Sequence, residues 1–488
     1  MARQRKITLN TDVLALVFEK LLACNTSPDS CRSLAAARLV CASWNDVILS
    51  HPALWRYIVV RDNGQLPRGA LATLRGVLEQ SGDCSLCVTL DFSGSQPISL
   101  ASALVYSQLF TAISHHMQRI ESLSVIFEHA EQARFLQHFD RPAPRLRALA
   151  LKCPYSPHSL AQVQFTQLHS LELAFIGLSS ILQAELASLS SLRTLVLVDT
   201  DFIWSELEEV FDRCPNLGEL SIVGFNFLPG GVPIPAGELA KPLRRLCLDL
   251  SFMAYLDVGA FLGAFARLPL RYTAEVEIGR VFPVWHDEVF LAILETLFEH
   301  LPALDTLSVT LDDDAFQLDG SSLAVPGAVD RVPSRIRRTI KLPEGLPKTA
   351  LRPTQSLIRA TLATALFLPK PAFERLSLLR LPLSVWRDLP ERIDGLLPSV
   401  VELNVIWDLR SFDKDVPPLP RLAALSTVRL LKPRTRQRMI LTTDKVTRLL
   451  RQYRMAYKPV LALRGVEIIM LEHDLDRFVA RIVIEQVF

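Results

Sequence analysis

One short pattern recurs along the chain and limits the possible folds more than any other feature. Leu-x-x-Leu-x-Leu, with Ile or Val allowed, occurs at Ile120/Leu123/Val125, Leu146/Leu149/Leu151, Leu168/Leu171/Leu173, Leu192/Leu195/Leu197, Leu217/Leu220/Ile222 and Leu243/Leu246/Leu248. Successive copies start 26, 22, 24, 25 and 26 residues apart. Weaker copies stand at Leu304/Leu307/Val309, Phe373/Leu376/Leu378, Val400/Leu403/Val405 and Leu463/Val466/Ile468, with Leu86/Val88/Leu90 as a degenerate first one. The closing Leu-x-Leu predicts a short strand whose two leucines point to one side. The stretches between copies read as helices, such as Ser180 to Ser188 and Glu206 to Cys214. Proline precedes several copies (Pro144, Pro215, Pro242, Pro302) and ends the helix before it. A single unit cannot bury its apolar face, so stacked neighbours must supply the core. The expectation is an α/β solenoid; its competitor is a compact α/β domain with coincidental leucines.

Composition agrees. About one residue in six of the 488 is Leu, whereas only 19 are Gly. That argues against a nucleotide-binding enzyme, whose phosphate loops need glycine where backbone approaches the ligand. A net charge of +2 gives no general pull toward nucleic acid or membrane. No apolar run reaches the roughly 18 residues that a membrane helix needs. Met1 to Lys6 is followed at once by Asn10, Thr11 and Asp12, so no secretory signal is read. Eight scattered cysteines then read as reduced thiols, and the expected location is cytoplasmic, nuclear or both.

The first sixty residues differ from the rest. Val13, Leu14, Val17, Phe18, Leu21 and Leu22 form one stripe at the helical period, and Asn10, Thr11 or Asp12 can cap its first turn. Helical stretches follow from about Ser30 to Leu39 and Ala42 to Leu49, and His51-Pro52 stops the last. Three short helices cannot bury all this apolar surface alone. Either the next domain or a separate partner covers it.

Leu9, Val13-Leu14, Val17-Phe18 and Leu21, then Arg38-Leu39-Val40-Cys41-Ala42-Ser43-Trp44, then Pro52-Ala53-Leu54-Trp55, resemble an F-box. The resemblance covers about residues 7 to 58, and Leu-Val-Cys-x-x-Trp followed by Pro-x-Leu-Trp is its most specific part. Where the family has Pro after its first Leu, this chain has Asn10, which can start a helix as a cap. The resemblance implies docking on a Skp1-type adaptor and, through it, on a cullin–RING ubiquitin ligase. By motif position it implies that Leu9, Val13, Leu14, Phe18, Leu39, Val40, Cys41, Trp44, Leu54 and Trp55 dock or support docking. Some of these, Trp44 especially, can hold the helices together rather than touch the partner. The alternative is a helical cap sealing the end of the next domain.

The repeat period lies in the range of roughly 20–29 residues typical of leucine-rich repeats. The array is degenerate: positions that usually hold Asn or Cys after the strand hold Pro154, Ile176, Thr200 and Phe225. In this it resembles fungal-type F-box proteins. The expected architecture is an α+β/solenoid chain: a three-helix F-box over 1–60, then an α/β leucine-rich-repeat solenoid over 61–488.

Two stretches break the period. Residues 312–352 begin Asp312-Asp313-Asp314, continue through Pro, Gly and Ser, and reach Arg335 to Arg338. They read as a long inserted surface loop, cut first by a protease near Arg335 to Arg338. Residues 429–458 carry ten Lys or Arg against Asp444 alone. They read as a helix with a solvated basic face, or as a patch for an acidic partner or nucleic acid.

No catalytic constellation emerges, so no enzyme, cofactor or metal is expected. Cys84 and Cys87 have no second pair, and on a strand they face opposite sides. His115 and His116 diverge on a helix, and Trp285 to Glu288 lacks metal or nucleophile spacing. The expected target surface is the outward strip beside the strand leucines, with Glu172, Glu219, Arg245 and Asp249 as its charged members. Its apolar centre and charged edge suit a protein target of unknown identity. The leading reading is a substrate receptor of an SCF-type (Skp1–cullin–F-box) ubiquitin ligase. The others are a scaffold outside any ligase and a binder of nucleic acid or an acidic partner through the basic stretch.

Overall fold

The computed structural model describes residues 10–24, 30–62, 69–94, 100–153, 167–177, 189–202, 204–224, 226–227, 243–249, 270, 273–279, 296–297, 304–311, 316–323, 335–341, 374–383, 397–407, 422–432, 439–452, 458–469 and 475–485. Two compact units divide the chain: Met1–Leu217 with Phe225–Gly230, and Gly218–Gly224 with Gly231–Phe488. Each contains a mostly parallel sheet with helices, an α/β arrangement compatible with a solenoid. Among the described residues, no helix is long and apolar enough to cross a membrane.

The first unit opens with α1 (Thr11–Cys24), α2 (Ser30–Arg38) and α3 (Ala42–Ser50), then a 3₁₀ turn over Pro52–Trp55. Strand β1 (Tyr57–Arg61), α4 (Ala70–Gln80), β2 (Leu86–Phe92), α5 (Leu100–Ser114) and β3 (Ile120–Phe127) follow. Next come β4 (Ala148–Lys152), β5 (Ser170–Ala174) and β6 (Thr194–Val198). These six strands pair in chain order, all parallel. The register stacks the repeat leucines: Leu123, Leu149, Leu171 and Leu195 form one row, and Val125, Leu151, Leu173 and Leu197 the next. All eight are buried. Upstream, Val88 and Leu90 continue the rows, as do Ile58 and Val60 of β1, a copy that the spacing did not reveal. Backbone bonds repeat with the array: the amides of His169 and Ser170 donate to the Arg147 carbonyl, and those of Arg193 and Thr194 to the His169 carbonyl. Each corner's polar groups are thereby satisfied by the preceding copy. Phe92, Tyr106, Phe110, Phe127, Phe135 and Phe139 pack ring against ring behind β2 and β3. A helix follows at Trp204–Arg213, where one was expected; the one expected from Ser180 to Ser188 lies outside the described residues.

Strands β7 (Asp201–Phe202) and β9 (Asn226–Phe227) pair with each other in this first unit, while β8 (Glu219–Val223) belongs to the second. The second unit continues with β10 (Arg245–Asp249), β11 (Glu275–Gly279), β12 (Thr306–Leu311), β13 (Phe316–Leu323), β14 (Arg335–Lys341), β15 (Leu378–Pro382), β16 (Glu402–Ile406) and β17 (Thr427–Leu431). It ends with β18 (Met439–Thr442), a helix at Thr443–Gln452, β19 (Val460–Arg464), β20 (Val466–Ile469) and β21 (Arg481–Glu485). The sheet order is β8-β10-β11-β14-β13-β12-β15-β16-β17-β19-β21. Every neighbouring pair is parallel except those made by β13.

Residues 312–352 are therefore not simply a surface loop. They contribute two strands that separate β11 from β12. Arg338 explains why the pattern is hard to read. It occupies a core position of β14, 1% exposed, opposite Gly320. Its guanidinium donates to the Thr273 and Arg337 carbonyls at 3.0 Å and to that of Leu270. Burial pushes its pKa down to about 10. A charge at a core position hides the alternation that Ile336 and Ile340 would otherwise show. Trypsin is accordingly expected to spare the bonds after Arg337 and Arg338 in the native protein and to cut them only after unfolding; a first native cut there would contradict the buried strand.

The frame also moves at two weaker copies. Around β15 the buried leucines of the copy are Leu376, just before the strand, and Leu379 and Leu381 within it, and Phe373 lies outside the described residues. In β19 the buried set is Leu461, Ala462 and Leu463, whereas Val466 to Ile469 forms a separate strand against β18. Copies at Thr273/Val276/Ile278 and Leu425/Val428/Leu430 complete the series, and all six of these residues are buried.

Candidate functional site: an exposed apolar helix face and a paired sheet face

Asn10 starts α1. Its side-chain oxygen accepts the Asp12 amide at 3.1 Å and its carbonyl accepts that of Leu14 at 3.0 Å. The apolar stripe of α1 then splits. Leu14, Ala15 and Phe18 are buried, while Val13, Leu16 and Val17 are exposed. Phe18 meets Trp44 edge-on at 5.2 Å, and the Trp55 indole donates to the Ile48 carbonyl at 2.9 Å. Arg38 Nε donates to Asn45 Oδ1 at 2.9 Å and ties α2 to α3.

The residues of the F-box-like pattern fall into two groups. Leu14, Phe18, Leu54 and Trp55, expected to dock or to support docking, are buried inside the helical cluster. Val13, Leu39, Val40 and Cys41 are exposed, and Trp44 is half-buried. Leu39 and Val40, at the turn between α2 and α3, are 88% and 62% exposed. Leu9 lies outside the described residues. Leu16 and Leu49, exposed apolar side chains of α1 and α3, were not among the expected residues. Helical periodicity marks an apolar face without dividing core from partner.

The outward face of the first unit's sheet carries Ser170 and Glu172 on β5 and Thr194, Val196 and Val198 on β6. Glu172 is exposed, in register with Ala150 and Val196. At the start of the strands, Glu121 pairs with Arg56 at 3.5 Å and Arg147 at 3.4 Å.

The outward face of the second unit's sheet is internally paired. Arg245 is exposed and bonds Glu277 at 3.0 Å, and Lys341 reaches the other oxygen of that carboxylate. Burial alone would raise the Glu277 carboxyl, but hydrogen bonds from Lys341 and Arg245 outweigh it and hold the pKa below its ordinary value. Arg337 bonds Asp319 at 3.1 Å. Arg429 bonds Glu402 in the neighbouring strand and spans Ala462 of β19 to reach Glu485 at 2.9 Å. Glu219 is half-buried beside Arg245. Asp249, expected on the outward strip, is 9% exposed instead. Its carboxylate lies beside Gly279 of the neighbouring strand. Sequence reasoning missed Glu277 and Lys341, partners 64 residues apart, and placed Arg429 in a basic stretch rather than between Glu402 and Glu485, because such pairs meet only once the strand order is known.

Glu277→Gln is expected to cost about 1 kcal/mol at neutral pH, as for a half-buried pair. A depressed carboxyl stabilises the fold above its unfolded pKa and loses that contribution as pH falls through the folded value. The difference between wild type and variant in urea melts therefore closes below about pH 4. A difference independent of pH would remove the ion pairs as its cause.

Among the described residues, no three His, Cys, Asp or Glu side chains are grouped to hold a metal ion. Burial raises the Cys87 thiol despite Arg56 beside it, so the thiol is not activated. His115 and His116 border a cleft of about 400 Å³ between α4 and α5, with Arg75, Glu79, Ser107 and Thr111. Burial first, then Arg119 and His115, lowers the His116 pKa. Trp285 to Glu288 lies outside the described residues.

No protein-family model matches the chain, and no curated protein matches it.

Proposed function

We propose that this chain is a substrate receptor of an SCF-type ubiquitin ligase, an F-box protein with a degenerate leucine-rich-repeat array. It performs no chemistry itself. Its N-terminal helices dock on a Skp1-type adaptor that leads to a cullin, and its repeats hold a protein target. Binding then raises the target's effective concentration near a ubiquitin-loaded enzyme.

One observation carries the reading. The Leu-Val-Cys element of the F-box-like pattern stands exposed at Leu39, Val40 and Cys41, on a cluster whose core holds the motif residues Leu14, Phe18, Leu54 and Trp55. Isolated exposed apolar residues are ordinary. Val13, Leu16, Val17, Leu39 and Val40 in one three-helix cluster suit a partner's apolar helices.

Affinity purification of the tagged chain from a cell lysate tests the division of labour. Val17→Asp is expected to lose the adaptor and cullin but keep the target. Glu172→Lys is expected to weaken the target and keep the adaptor. Loss of the target with Val17→Asp and full retention with Glu172→Lys would reverse the assignment of surfaces.

A further inference from the structure

The charge of this chain is unevenly placed. Ten Lys or Arg against one Asp in residues 429–458 give that stretch +9, so the remaining sequence carries −7 within a total of +2. Arg429 does not belong to a free basic surface, since it is bound between Glu402 and Glu485 in the sheet. Arg434, Arg436, Arg438 and Arg454 lie outside the described residues.

The helix Thr443–Gln452 carries Lys445, Arg448 and Arg451, whereas Lys432 lies against Gly465. Val446, Leu449 and Leu450 are buried with Thr443 and Thr447. The helical period then turns Asp444, Lys445, Arg448 and Arg451 outward. Lys445, Arg448 and Arg451 are successive i, i+3 neighbours and form one line. Arg451 extends the line to a second element: its guanidinium lies 5.4 Å from the centre of the Phe478 ring, next to exposed Arg477. Lys458 joins there by donating to the Asp476 carbonyl at 2.7 Å. The Ala480 amide donates to the Pro459 carbonyl at 2.9 Å, which sets exposed Arg481 close by. Among the described residues, six cations from three segments thus share a surface with Asp444 and Asp476 as its acids.

We propose that this surface docks an acidic peptide segment, rich in Asp and Glu, independently of the apolar helix face. Guanidinium forks match carboxylates two bonds at a time, and four of the six cations are Arg. Screening confines such a field to roughly 8–10 Å, so a short segment experiences the patch alone. A nucleic acid is a poorer occupant. Its charges continue at one per roughly 1.7 Å of duplex, past the patch and over a remainder of negative charge. Among the described residues the patch also offers no open aromatic face for a base, because Arg451 covers Phe478.

The test is fluorescence anisotropy on the full chain with labelled poly-Glu and with a single-stranded oligonucleotide of equal charge. Poly-Glu is expected to bind, with affinity falling as salt rises. Arg448→Glu with Arg477→Glu is expected to weaken it about tenfold or more, whereas Arg193→Glu, an exposed cation of the first unit, leaves it unchanged. Arg448→Gln with Arg477→Gln gives a milder loss, and an unchanged circular dichroism spectrum shows that neither pair acts by unfolding. Capture of a Skp1-type adaptor persists in every variant, which separates this surface from the helical one. No poly-Glu binding, or equal binding by the reversed variant, would overturn the proposal. Tighter binding of the oligonucleotide, lost in the same variant, would overturn it in favour of nucleic acid.

Discussion

Leu173→Ala is expected to lower the stability of the protein by about 3 kcal/mol in urea unfolding. Leu173 is completely buried on β5, between Leu151 of β4 and Leu197 of β6. Truncation removes apolar burial and leaves a cavity that a stacked neighbour on either side cannot close without losing its own register. Val196→Ala, one residue from the same row on the outward face, is expected to cost well under half as much because its side chain is half-buried. Equal losses at the two positions would mean that the leucine rows are not the core of this sheet.

Leu39→Asp with Val40→Asp is expected to weaken adaptor binding about a hundredfold or more while the helices stay folded. Each buried apolar side chain of this size contributes roughly 1.5–3 kcal/mol, and each 1.4 kcal/mol is a factor of ten. The new carboxylates also face desolvation in any apolar interface. Both native side chains are largely exposed in the chain alone, so the substitution removes little internal packing. Leu14→Ala with Phe18→Ala is the poorer experiment. Those side chains are 4% and 3% exposed, and their loss strips the helical cluster of its core, including the ring contact with Trp44.

The residues show why some of this structure is legible in sequence and some is not. Six regular copies of the repeat predict buried rows, and each falls on a strand with both closing apolar residues inside. Period-two burial is a local property, readable without knowing the neighbours. The frame slips at Phe373/Leu376/Leu378 because Leu378 and Leu379 are adjacent and either can open an alternation. Strands β13 and β14 escape because Arg338 takes a core position and finds carbonyl partners at residues more than sixty positions away. Three helices are legible from the 3.6-residue period, and the cap of the first as one of Asn10, Thr11 and Asp12, of which Asn10 accepts the Asp12 amide. The division of Val13 from Leu14, and of Leu39 from Leu54, is not, since both sides of an amphipathic turn can be apolar when a partner is expected. Asp249 has the correct parity for the outward strip, yet its side chain is buried beside Gly279 of the next strand, a neighbour that only the strand pairing reveals.

The central claim is that the exposed apolar face of the N-terminal helices receives a Skp1-type adaptor. Calorimetric titration of a purified adaptor into the purified 488-residue chain measures it directly. The expected result is one-to-one binding with a negative heat-capacity change, the mark of buried apolar surface. That binding should be lost in Leu39→Asp with Val40→Asp and kept in Arg448→Glu with Arg477→Glu. Absence of binding by the wild-type chain, or undiminished binding by the Leu39 and Val40 variant, would contradict the claim.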